Sequence, residues 1–278
     1  MPGPHQQRRA AQQDHRQAQR LGLGGQGHIV EVGGQVNAQV QALLGPGNAG
    51  VRPQAGGQHL QQGLTLDEVV AAVQDGLEEG ADEAADKGHN IRTGQLVTAM
   101  RHLDRGLEIA ELAVRHRNDG VVGFDIAGPE LGFLPNRHKL AFDYLAAEMF
   151  PVTVHAGEAD GIDSIKDAIV SGRALRLGHG ARLIEDVMFS RSQGESDFVV
   201  LGPVAEWVHD RGIALELSIS SNMQTGVLDD IYKLTEEDDH ELSVADHPFA
   251  VLYDLGFAVT VNTDNRLMSN TTISKELQ

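Results

Sequence analysis

Apolar residues in this chain fall into short runs separated by stretches of helical spacing, and the alternation starts at Gly63. Thr65-Leu66-Asp67-Glu68 has the spacing of a capping box, and Val69, Val70, Val73 and Leu77 fall on one face of the helix it opens. Residues 96–100 (LVTAM) read as a buried strand. A helix is predicted from Asp104 through Leu107, Ile109, Leu112 and Ala113 to about Arg117, then a strand over 121–126. A helix over 139–149, a strand over 151–154, a helix over 164–170 and a short strand over 175–177 continue the rhythm. Residues 204–210 predict a helix and 213–217 a strand. Asp246 reads as an N-cap with Pro248 in the first turn and Gly256 just past the end; residues 258–261 are the last strand.

Six strands alternate with helices, and each strand is a short apolar run rather than a polar–apolar alternation. Such runs belong to parallel strands covered on both faces, hence to an α/β fold. A doubly wound sheet and a (β/α)8 TIM barrel both fit. The polar residues separate them: Asp125, His155, His179 and Asp264 each lie at or just past the C-terminal end of a predicted strand, where barrel enzymes assemble sites from several strands. No G-x-G-x-x-G follows the first strand and no phosphate-binding loop is present. The barrel is favoured, with about six of eight strands recognisable.

Composition divides the chain in two. Residues 1–62 carry five Arg and no Lys against Asp14 and Glu31, a formal charge of +3, so the other 216 residues carry −21 of the total −18. The same 62 residues hold 14 of the 19 Gln and 12 of the 32 Gly, and no Ser, Thr, Phe, Tyr or Trp. They are expected to lack a core of their own and to be a low-complexity, disordered or mistranslated segment. The excess of acid argues against nucleic acid or an anionic membrane as partner; Arg8, Arg9, Arg16 and Arg20, without interleaved aromatics, do not reverse that. Zero cysteines exclude a disulfide framework and a cysteine nucleophile. With no stretch of about 18 apolar residues and no signal-like apolar core, the expectation is a soluble, cytoplasmic protein.

Four short stretches could carry chemistry. His155-Ala156-Gly157-Glu158 offers a metal ligand at a strand end and a proton-transfer group three residues on, or else a hydrogen-bonded histidine and a solvated acid. Gly178-His179-Gly180 lets backbone approach a ligand and sets an imidazole in a cleft, or is a plain turn. Asp264, after the apolar residues 259–261, is either a paired or metal-bound carboxylate or the N-cap of the next turn. Gly128 could offer a backbone N–H to a ligand. Two ligand types on separate strands point to a hydrolytic metal centre, zinc being the usual choice for nitrogen and oxygen donors, with a bound water of pKa roughly 7.

Taken together, residues 121–130 (VVGFDIAGPE), 153–165 (TVHAGEADGIDSI), 176–180 (RLGHG), 220–226 (SSNMQTG) and 247–277 resemble the adenosine deaminases, in that family's order and spacing, from about Gly63 to the end. The stretch 262–269 (NTDNRLMS) resembles the actinobacterial branch. The resemblance implies a zinc-dependent hydrolase, one Zn2+ per chain, acting on a purine nucleoside in purine salvage. His155 and Asp264 would ligate zinc, and Glu158 would protonate the purine N1 during attack at C6. His179 would orient the water, Gly128 would donate its N–H to N3, and Asn265 would address N7. Adenosine and deoxyadenosine would be deaminated to inosine products and ammonia. Adenine or another aminopurine is the alternative substrate, and a catalytically inactive purine-binding remnant the alternative role.

The family's His-x-His zinc pair has no counterpart, since none of the 13 histidines stand at i and i+2. Ile219, Pro129 and Asn265 occupy places where the family often has Pro, an acid and a second Asp. Residues 63–278 are therefore expected to form a partial deaminase barrel, incomplete at both ends, with two of four protein zinc ligands and weak zinc binding, and the chain to be inactive or poorly folded. A mistranslated start over residues 1–62, in the wrong frame or from a mispredicted gene boundary, would unite the odd composition with the missing pair; the alternative is a genuine flexible Gln/Gly-rich extension on a decayed enzyme. Translating the source DNA in its other frames checks the first; finding no His-x-His strand upstream of the Gly63 codon would end it.

Overall fold

The computed structural model describes residues 36–41, 64–190, 198–234 and 242–278. They form two compact units: residues 36–155 with 167–175, and residues 156–166 with 176–278. All six expected strands are present, each within three residues of its predicted bounds.

In the first unit, four strands pair in parallel: β1 (Val36–Gln41), β2 (Thr93–Met100), β3 (Val121–Ala127) and β4 (Val152–Ala156), whose last residue belongs to the second unit. β1 lies within the segment expected to lack a core; the rest of that expectation falls outside the described residues. Helix α1 (Leu66–Asp86) begins at the capping box read from the sequence. Glu68 N–H donates to Thr65 Oγ1 at 3.2 Å, and Thr65 N–H donates to Glu68 Oε2 at 2.7 Å. Val69 and Val70 carry the buried part of its apolar face. Helix α2 (Gly106–Arg115) follows β2 and buries Ile109, Ala110, Leu112 and Ala113. Helix α3 (Lys139–Ala147) buries Phe142, whose ring meets Phe124 of β3 edge to face at 6.2 Å. Each parallel strand pair is thus joined through a covering helix, the arrangement that buries strands on both faces.

Arg115 grips Asp67 with two nitrogens, at 2.8 and 3.1 Å, and His116 Nε2 lies 2.7 Å from the same carboxylate. The guanidinium, then the imidazole, lower the Asp67 pKa from 3.8 to about 2. A carboxylate held below its unfolded value contributes stability above pH about 4, and loses it as pH falls through about 2. Half of this side chain is exposed, so the contribution is small. Acid titration of Asp67→Asn is expected to show a shallower loss of stability between pH 4 and 2 than the parent. An unchanged slope would show the bridge to be inert.

The second unit pairs β5 (Arg176–His179), β8 (Ala214–Leu217) and β9 (Val259–Val261) in parallel. Helix α4 (Ile162–Val170) is divided between the units at Lys166. An antiparallel pair that the sequence analysis did not anticipate, β6 (Val187–Ser190) and β7 (Phe198–Leu201), precedes helix α5 (Pro203–Asp210). Asp186 caps α5 from a distance, accepting the N–H groups of Val204 and Ala205 at 2.8 and 2.9 Å. Short helices α6 (Ile219–Gln224) and α7 (Val227–Tyr232) follow β8. Helix α8 (Phe249–Asp254) precedes β9, and α9 (Arg266–Ser269) and α10 (Ile273–Glu276) follow it.

Asp246 is a correction to the sequence reading. It does not cap α8, whose N-cap is Pro248; its carboxylate instead accepts from Ser243 N–H and Oγ at 2.9 and 2.8 Å, closing a one-turn 3-10 helix, Val244–Asp246. An acid three residues after a serine completes a capping box, and that local pairing outcompetes the more distant helix end. No helix among the described residues is long and apolar enough to cross a membrane.

Candidate active site

Of the polar residues singled out by sequence, His155 and His179 lie at the ends of β4 and β5, Asp125 two residues before the end of β3, and Asp264 three residues past β9. In the first unit the register aligns Thr98 of β2 with Asp125 of β3, and Asp125 with Thr153 of β4. Asp125 is fully buried in an otherwise apolar strand. It accepts from Thr98 Oγ1 at 3.1 Å and from His155 Nδ1 at 3.0 Å. Because a carboxylate can only accept, His155 carries a proton on Nδ1, which in the neutral ring leaves the lone pair on Nε2, the form in which imidazole ligates metals. Arg101, at the end of β2 and fully buried, donates to the His155 carbonyl at 2.6 Å and so fixes the backbone under the ring. Gly128 directly follows β3 with φ +103°; a Cβ there would come within 2.8 Å of Met100 Cε. Only glycine takes that backbone conformation without strain and without displacing Met100.

In the second unit Glu158 and His179 come together: His179 Nε2 lies 3.4 Å from Glu158 Oε2. His179 ends β5 and is almost wholly buried, with a φ of +66°, a left-handed conformation that a non-glycine residue keeps only when its surroundings impose it. Asp264, with φ +50°, shares that left-handed conformation. Its carboxylate accepts from Ser221 Oγ at 2.7 Å, so it is not an N-cap; that role falls to Asn265, whose side chain accepts from Met268 N–H at 3.2 Å. Thr225 Oγ1 stands 3.1 Å from both Glu158 Oε1 and the Ser221 carbonyl oxygen. One hydroxyl proton therefore has two acceptors within reach.

Asn222 was not singled out by sequence. It is fully buried on α6, 3.0 Å by its Nδ2 from His179 Nδ1 and 3.1 Å by its Oδ1 from His247 Nε2. Ser221, Asn222 and Thr225 all lie in the stretch 220–226, so the motif pointed at them as a group, but only the folded geometry separates their tasks.

Among the described residues no group of three or more His, Cys, Asp or Glu could hold a metal ion. A catalytic zinc site takes three protein ligands and a water. His155 and Asp264, the two donors expected from sequence, fall short of that set, so the residues present do not fit a bound zinc.

Parallel strand–helix units with acids and imidazoles gathered at strand C-terminal ends are the layout of barrel-type α/β enzymes. The chain belongs to the adenosine deaminase family, whose model matches residues 50–278. An adenosine deaminase of Streptomyces coelicolor is 52% identical over 221 residues, 80% of this chain and 52% of that protein. One from Mycobacteroides abscessus is 46% identical over 219 residues, 79% of this chain and 56% of that protein. This chain thus spans about half the length of the curated relatives it matches.

Solved structures share the fold at lower identity. The adenine deaminase of Arthrobacter aurescens superposes with a TM-score of 0.57 at 18% identity, over 79% of this chain and 57% of that one. The N6-methyl-AMP deaminase of Arabidopsis thaliana gives 0.56 at 21%, over 78% and 56%. An amidohydrolase from Burkholderia ambifaria, solved with bound Zn, gives 0.55 at 20%, over 77% and 51%.

Proposed function

We propose that this chain carries the nucleoside-handling and proton-transfer part of an adenosine deaminase, which hydrolyses adenosine or deoxyadenosine to the inosine product and ammonia. The observation that carries the reading is the Glu158–His179 pair, set at the end of β5 and steadied by Thr225, in a chain about half identical to named adenosine deaminases. Glu158 is the acid that gives a proton to purine N1, and His179 orients the attacking water. The two acceptors of Thr225 suit an acid that must change state. When Glu158 is ionised, Thr225 donates to it; when Glu158 is protonated, its O–H donates to Thr225 Oγ1, whose own proton turns to the Ser221 carbonyl. Both states keep their hydrogen bonds.

Gly128 offers its N–H to purine N3. Asn265 suits N7: its Oδ1 is committed to capping α9, and an amide N–H of the same side chain matches the acceptor character of N7, which an ionised Asp would not. His155 and Asp264 would each serve as one donor to a zinc if further ligands completed the set, and such a metal would supply an activated water. A cysteine-free chain accords with a reducing, cytoplasmic setting.

Ammonia release from adenosine, measured beside adenine in buffer containing zinc, tests the assignment. Release from adenosine supports it; release from adenine alone overturns the substrate. Nucleoside binding without release supports the second reading, a non-catalytic purine-binding chain, which the incomplete donor set favours. Any turnover is expected to fall roughly 10²–10⁴-fold in Glu158→Gln, the range for loss of a positioned acid, with nucleoside affinity largely kept. A Glu158→Gln protein as active as its parent would remove Glu158 from the chemistry.

A further inference from the structure

Five groups of the second unit stand in one line of polar contacts. Phe249 N–H lies 3.1 Å from His247 Nδ1, and His247 Nε2 is 3.1 Å from Asn222 Oδ1. Asn222 Nδ2 is 3.0 Å from His179 Nδ1, and His179 Nε2 faces Glu158. Asn222, His247 and His179 are all buried, so water does not interrupt the line.

Its direction follows from its first member. Phe249 is the first residue of α8, and a backbone N–H can only donate. His247 Nδ1 must therefore be an acceptor, which places the His247 proton on Nε2. That proton needs an acceptor, so Asn222 turns Oδ1 toward His247 and its NH2 toward His179. The reversed amide would leave His247 two donors and no proton to share with either, save as an anion. With an N–H pointed at its Nδ1, His179 in turn carries its proton on Nε2. His247 is held for this task by the 3-10 turn before it and by Pro248 after it, which favours the extended backbone that His247 adopts (φ −66°, ψ 136°).

We propose that Asn222 and His247 are positioning residues that set the tautomer of His179, so that His179 presents an N–H donor, not a lone pair, beside Glu158. Resting on the deaminase reading, this makes His179 a group that donates to the reacting oxygen and holds it in place; the neutral ring has no lone pair there with which to take the water's proton. Removing the proton falls to another base.

Nitrogen-15 NMR of the full chain, selectively labelled in histidine and recorded at neutral pH, reads each ring nitrogen as protonated or bare. Expected are a bare Nδ1 and a protonated Nε2 on His179, and the same on His247. Asn222→Asp, close in shape but an acceptor at both oxygens, is expected to reverse His179 to the Nδ1–H form while His247 stays as it was. His247→Gln keeps an N–H donor facing Asn222 and is expected to preserve the His179 tautomer. A parent His179 protonated on Nδ1, or a folded Asn222→Asp protein with an unchanged tautomer, would overturn the proposal; should Asn222→Asp not fold, the parent and His247→Gln spectra decide. None of these readouts needs metal or turnover, so a failed deaminase assay would leave the tautomer result standing on its own.

Discussion

Zinc content far below one equivalent is the expected result when the purified chain is dialysed against metal-free buffer. The expectation comes from counting donors. Structural zinc sites with four ligands bind with about 10–16 kcal/mol at neutral pH. Losing only a hydrogen-bond partner behind a ligand already weakens binding roughly 10–100-fold, and losing a ligand outright costs at least as much. Here the sequence holds no histidines at i and i+2, and the described residues hold no group of three donors. His155 is well prepared for its part, since Asp125 sets its tautomer and Arg101 its backbone, but a prepared donor does not replace the missing ones. Elemental analysis with a competing chelator measures the stoichiometry. One tightly held zinc per chain would show that side chains outside the described residues complete the site, and would strengthen the catalytic reading over the binding one.

Gly157→Ala is expected to destabilise the chain by about 2–5 kcal/mol. Gly157 sits between His155 and Glu158 with φ +75°, where an L side chain costs about 1–2 kcal/mol. A Cβ there would also lie 2.6 Å from Ile165 Cδ1 and 3.3 Å from the Gly180 Cα. Ile165 is fully buried, so it yields only by disturbing the core, at about 1–3 kcal/mol. Gly212→Ala separates the two contributions, because Gly212 also has positive φ (+59°) but nothing within 4 Å of its would-be Cβ. Urea unfolding should show Gly212→Ala losing about 1–2 kcal/mol and Gly157→Ala clearly more. Equal losses would mean that Ile165 moves aside freely and that the packing argument is wrong.

The fold was legible at β2 to β5, β8 and β9, because burial on both faces writes an uninterrupted apolar run into the sequence; the parallel strand β1, inside the Gln- and Gly-rich segment, was not anticipated. The pair β6 and β7 was not: Phe198 and Val200 are exposed while Val199 and Leu201 are partly covered, so the signal is a weak alternation over four residues. Asp246 was misread because two capping arrangements compete for one carboxylate, and sequence spacing fits both. Of the site, Asp125, His155, His179 and Asp264 stood out as polar residues at or just past the ends of apolar runs, and Glu158 as an acid three residues after His155. Asn222 and Arg101 did not, since a buried amide or guanidinium takes its meaning from partners 25 to 54 residues away. Asp125 was visible as an acid in a strand, but its hold on His155 depends on the β2–β3–β4 register, which no single run of residues encodes.

The left-handed backbone at His179 and Asp264 bears on how this protein could be improved. Glycine or asparagine would sit more comfortably at both positions, so a library screened for heat resistance alone will enrich for variants that have discarded the imidazole and the carboxylate. Thermostabilisation of this chain should therefore hold codons 179 and 264 constant and seek its gains elsewhere, or selection will deliver a hardier and chemically inert scaffold.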